Sequence, residues 1–112
     1  MNPIPKHLKR LVREFAAIAH ERELGQALSE LRIEFDRWER RELSVFELNK
    51  RVHQFHQGPS RQVWARYATN HLESPLASAV AAGIVRKEEL PAELLAHVAG
   101  LVEMYEQDTA DS

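Results

Sequence analysis

The chain has 112 residues, of which 44% are apolar and 29% charged, with a net charge of −2 and no cysteine. That length predicts one domain around one core, and the missing cysteines exclude disulfides, zinc thiolates, iron-sulfur clusters and thiol catalysis. Four glycines and five prolines are all that interrupt a composition rich in alanine, leucine, glutamate and arginine, which predicts an all-α fold of five or six helices, bundle-like or orthogonal.

The charge is unevenly spread. Residues 1–71 carry +4 and residues 72–112 carry −6. This polarity suits a basic N-terminal helix docked on an acidic C-terminal one, or the pairing of two subunits. The net charge itself does not indicate nucleic-acid binding. The run MNPIPKHLKRLVREF has charges where a secretory leader needs an unbroken apolar segment, and PLASAVAAGIV (75–85) is too short to span a bilayer. A cytoplasmic protein without a membrane segment is expected.

Pro3 and Pro5 hold the first residues extended, and a helix is predicted from about Lys6. Leu8, Leu11, Phe15 and Ile18 repeat on one helical face, with Val12 and Ala19 beside them. At Leu24 a second seam begins and runs through Leu28, Leu31, Phe35 and Trp38, alternating four and three. The chain either breaks at Gly25 or continues as one long helix, straight or kinked there, that changes its buried side. The absence of a tight-turn residue pattern between 20 and 27 favours the continuous form. Such a helix of about 38 residues would be roughly 57 Å long, against a radius of gyration of about 13 Å for a compact chain of this size. Its far end then needs a partner, and a homodimer is the simplest one.

Ser44 and Glu47 have the spacing of a capping box and open a new helix with Val45, Leu48, Val52 and Phe55 as its core face. Gly58 and Pro59 are expected to stop it. Ser60 is then expected to cap a further helix whose face is Val63, Trp64, Tyr67 and Ala68. Ser74 and Pro75 give another start signal, Gly83 a stop, and Pro91 leads the last helix through Leu94, Val98, Leu101 and Tyr105. Residues 107–112 read as a frayed acidic tail.

Three groups of residues are candidates for chemistry. His53 and His56 stand three apart on one helix face, a spacing that would hold a divalent metal if carboxylates joined them. No ferritin-like or zincin motif accompanies them, and no cofactor is expected. Arg66 and His71 fit R-x4-H, which resembles the signature of the HEPN ribonucleases. That resemblance implies a small helical phosphodiesterase in which Arg66 steadies phosphate charge and His71 moves a proton; the position after the arginine, polar in that family, is Tyr67. Finally, Trp38, His53, His56, Ser60, Arg61, Trp64 and Tyr67 form a basic and aromatic surface around the Gly58 junction, where a free helix N-terminus would favour an anion. The leading expectation is a small non-enzymatic interaction or regulatory protein acting through that surface, as a homodimer or on another protein.

Overall fold

The computed structural model describes residues 4–111, with side chains as far as Thr109. Pro3, and Ser112 at the end of the acidic tail, lie outside the described residues. Helices account for nearly all of the rest, with no strand among the described residues. Helix α1 is Lys6–Glu39. Helix α2 joins Val45–Phe55 through a π-helical turn, His56–Ser60, to Arg61–Tyr67. Helix α3 is Glu73–Ala81, and a 3-10 turn at Lys87–Glu89 leads to α4, Ala92–Asp111.

The fold is all-α with a long first helix, but there are four helices among the described residues where five or six are predicted. Gly25 leaves α1 unbroken. The expected stop at Gly58 and Pro59 is absent, because the chain passes through them in helical conformation. Phe55, Ser60 and Arg61 all have right-handed helical φ and ψ. Ser60 is thus inside a helix and caps nothing. Ser74 is not a cap either: α3 starts one residue earlier, with Leu72 at the N-cap position. The Ser74 hydroxyl is bonded instead to the Tyr105 hydroxyl of α4, a partner 31 residues away that no local pattern announces.

Other local signals act as their chemistry requires. The Ser44 Oγ accepts the Glu47 N–H at 3.0 Å, satisfying one free donor of the helix start. The Glu47 carboxylate turns to Arg51, its neighbour one turn on. Gly83, at φ 79°, ends α3 in a Schellman motif: the Ile84 N–H reaches the Ala79 carbonyl and the Gly83 N–H the Val80 carbonyl. The same motif closes α1, with Glu42 bonded to Arg37 and Arg41 to Trp38. There the left-handed position is taken by Arg41 at φ 63°, where an L side chain is strained and glycine is the usual choice.

The two halves of α1 have two sets of partners. Its first half buries Leu8, Val12, Ala16 and Ala19 against α3 and α4, in a core with Leu76, Val80, Val85, Leu90, Leu94, Val98 and Val102. Its second half runs beside the antiparallel α2. The result is an elongated molecule, 58 × 29 × 21 Å, with a radius of gyration of 17.4 Å against about 13 Å for a compact chain of this length. One end is a proximal lobe built on α1, α3 and α4. The other is a distal hairpin of α1 and α2.

The expected attraction between the basic and acidic halves is present at two places. His7 bonds to Glu93. Arg22 grips Glu89 with both terminal nitrogens, at 2.9 and 2.7 Å, and also donates to the Ile84 carbonyl at 2.9 Å. This pins the loop between α3 and α4 to the middle of α1. The guanidinium, helped by the Arg86 backbone N–H, holds the Glu89 carboxyl down to about 2 from its ordinary 4.5. A group so depressed contributes stability that is complete above its unfolded pKa of 4.5 and is lost as pH falls from there through about 2. In Glu89→Gln, the melting temperature is therefore expected to start lower at neutral pH and to fall less between pH 4.5 and 2; thermal melts across that range check it.

Candidate functional site

Of the fifteen buried apolar residues among those described, thirteen belong to the proximal core, and the other two, Leu48 and Val63, lie in the distal hairpin. The exposed large apolar residues are distributed the opposite way. Leu28, Ile33, Phe35, Trp38, Val45, Phe46 and Trp64 are all in the hairpin, and Met104 alone lies elsewhere among the described residues. Phe46 is 84% exposed and Trp64 65%. Helical phase places Leu28 and Phe35 of α1 on the same side of the hairpin as Val45 and Val52 of α2. Between the two rows lie the half-buried Leu24 and Leu31.

The π-helical turn shapes the rest of this face. Leu48, Val52 and Phe55 face α1 at α-helical spacing, and an undisturbed helix would next present Pro59, Gln62 and Arg66. The residues that pack on α1 are Val63, which is buried, and Tyr67. One extra residue is therefore taken up between Phe55 and Val63, and a π turn is the local form that absorbs one. Its wider loop also accommodates Pro59, which lacks an N–H and whose ring would press on the carbonyl of Phe55 in an α-helix. Removing the extra residue by deleting Pro59 is expected to straighten α2, keep Val63 and Tyr67 facing α1, and change stability by less than about 1 kcal/mol. Inserting one residue after Gly58 is expected to rotate Val63 away by roughly 100° and lower the melting temperature; thermal melts of the two variants decide.

This re-phasing brings His56, Gln57, Ser60, Arg61 and Trp64 round one groove of 320 Å³. Four of the residues expected from the sequence, His56, Ser60, Arg61 and Trp64, thus converge, though on a helix side and not at a turn. With no helix end there, the free N–H groups expected to draw an anion do not exist. Trp38 is at the far end of the hairpin, on the last turn of α1, and His53 is exposed on α2. Tyr67 turns inward. Its ring stacks on His20 with centroids 4.8 Å apart and planes 6° from parallel, and its hydroxyl donates to Glu23. Burial first, then the bond to Glu23 and that carboxylate's charge, push the Tyr67 pKa well above its ordinary 10.0, so the phenol stays protonated and keeps its proton available as a donor.

Glu23 also accepts from Arg66 and is the least exposed partner in that pair, at 10%. The Arg66 guanidinium is thus already neutralised by a carboxylate. It nonetheless lines a 390 Å³ groove with His71, Thr69, Ser74, Ser78 and Tyr105, so the structure places Arg66 and His71 on the same opening. His53 and His56 have no such company: among the described residues no group of three His, Cys, Asp or Glu side chains is placed to hold a metal ion. Nor is any helix among them long and apolar enough to cross a membrane.

The network of Glu23, Arg66, Tyr67 and His20 is not visible in the sequence, since its two halves, His20 with Glu23 and Arg66 with Tyr67, are more than forty residues apart. Comparison with models of known protein families, with curated proteins and with solved structures finds no match, so the functional reading rests on the residues themselves.

Proposed function

We propose that this is a small non-enzymatic interaction or regulatory protein that works through the exposed apolar and aromatic face of its distal hairpin, with a second copy of the chain as the first occupant. The observation that carries the reading is the inverted distribution of apolar surface: seven of the eight large exposed apolar side chains are on the hairpin that has only two buried ones. Leu28, Phe35, Trp38, Val45 and Trp64 together leave on the order of 500 Å² of side-chain surface in water, compared with about 800 Å² per partner in a standard interface. Half-buried Leu24, Leu31 and Val52 lie between them, and His56, Ser60 and Arg61 supply a polar rim. The alternation of four and three from Leu24 to Trp38 is a helix-pairing seam, and α2 covers one flank of it.

Sedimentation equilibrium across a range of protein and salt concentrations tests this. A mass of two chains that persists in high salt supports apolar pairing. A single-chain mass at every concentration removes the second copy as occupant.

A phosphodiesterase centre at Arg66 and His71 is the second reading, supported by their common groove with two serines and a tyrosine. It requires Arg66 to leave Glu23 before it can meet a phosphate.

A further inference from the structure

Of the fifteen Lys and Arg side chains, all among the described residues, eight are occupied. Arg10, Arg22, Arg37, Arg40, Arg51, Arg66, Arg86 and Lys87 each pair with a carboxylate within 4.0 Å. Lys9 and Arg13 are two of the remaining seven, and they are set apart by where they stand. Neither side chain has a hydrogen bond or ion pair with any described residue, and both line a hollow of 590 Å³ between the first turns of α1 and the loop from α2 to α3. Standing four residues apart, they present their charges from one side of α1. Opposite them are Thr69, Asn70 and His71, whose backbone the Thr69 hydroxyl braces by accepting the His71 N–H at 3.1 Å. The carboxylate on this rim, Glu73, faces His97 at 3.5 Å.

Arg13 and Leu72 also line a second, smaller hollow of 170 Å³, floored by Ala16 and Ala17 and walled by the stacked rings of His20 and Tyr67. Arg13 and His20 are about 10 Å apart along the helix at 1.5 Å per residue. A cationic hollow and a flat aromatic one thus share Arg13 and Leu72 in their walls. Unpaired cations with amide, hydroxyl and imidazole groups suit a phosphate, and a flat aromatic wall with small residues beneath it suits a nucleobase.

We propose that these two hollows form a nucleotide-binding site, with the phosphate between Lys9, Arg13 and His71 and the base against His20 and Tyr67. The site is separate from the distal hairpin face and does not depend on its role. A free mononucleotide and one unit of a single strand share this chemistry.

Titration of the full chain, followed by amide and side-chain NMR, tests the assignment with AMP, adenosine, inorganic phosphate and a short single-stranded oligonucleotide, each against a chloride control. AMP is expected to shift the amides of residues 69–72 together with the ring signals of His20 and Tyr67, and phosphate to shift the first set alone. Lys9→Ala and Arg13→Ala are expected to weaken AMP about tenfold or more, the usual loss for a charge-assisted bond. Arg32→Ala, which removes an unpaired cation in the other half of α1, is expected to leave binding unchanged. An oligonucleotide that binds more tightly than AMP at equal salt identifies a strand as the source; weaker binding identifies the free nucleotide. No response to AMP beyond the chloride control overturns the site, as does an equal loss in Arg32→Ala. A response to phosphate with the rings unmoved by AMP overturns the nucleotide assignment.

Discussion

With two chains paired as proposed, Phe35→Glu combined with Trp64→Glu is expected to give single chains and to raise the dissociation constant by more than about a hundredfold, the scale for losing two large aromatic anchors from an interface. Both residues are exposed in the single chain, Phe35 at 41% and Trp64 at 65%. The change therefore adds two carboxylates to the outside of a fold whose core it does not touch. Helical content by circular dichroism is expected to stay the same, which separates lost association from lost folding. Met104→Glu supplies the control. Met104 is as exposed as the hairpin residues, at 59%, but belongs to α4 in the proximal lobe. If it dissociates the particle as effectively as the double substitution does, the interface is not on the hairpin.

Leu94→Ala is expected to lower the unfolding free energy by about 3 kcal/mol, within the usual range for a leucine truncated in a closed core. Leu94 is fully buried in the first turns of α4, among Leu76, Val80, Val85 and Val98, and nothing at the surface can collapse into the space it leaves. For a domain whose total stability is typically about 5 to 15 kcal/mol, this is a large fraction. Urea denaturation checks it with two signals from opposite ends of the molecule. Both tryptophans, Trp38 and Trp64, are in the distal hairpin, whereas circular dichroism reports every helix. Because α1 belongs to both lobes, the two transitions are expected to move together. A tryptophan transition that stays in place while the dichroism transition moves would show that the hairpin holds itself up without the proximal core.

Most of the architecture is legible in the sequence because it is set by local rules. The seam from Leu8, the serine cap at Ser44 and the stop at Gly83 each act within one or two helical turns, and the structure contains each of them, whereas the seam from Leu24 leaves Leu28, Phe35 and Trp38 exposed. Where the reading fails, a distant partner has changed the local balance. Gly58 and Pro59 have the chemistry of a stop, yet Val63 and Tyr67 gain their packing on α1 only if the helix goes on. The eight-residue step from Phe55 to Val63 was the available sign of an inserted residue. Ser74 has the chemistry of a cap, but Tyr105 takes its hydroxyl. The same limit governs the candidate sites. His56, Ser60, Arg61 and Trp64 were visible as a cluster because they are close in sequence. Lys9 and Arg13 were not distinguished from the other cations, because composition shows how many charges exist and not which of them find a partner.

Arg41 adds a small stored cost at the tip of the hairpin, but the greater mechanical consequence lies with α1 itself. A single helix of 34 residues threads both lobes, so neither can swing against the other unless a helix bends. Arg13 and Trp38 stand at opposite ends of that strut, about 38 Å apart at 1.5 Å per residue. The molecule is a ruler: whatever occupies the hollow near Arg13 is carried at a set distance from whatever is seated on the tip.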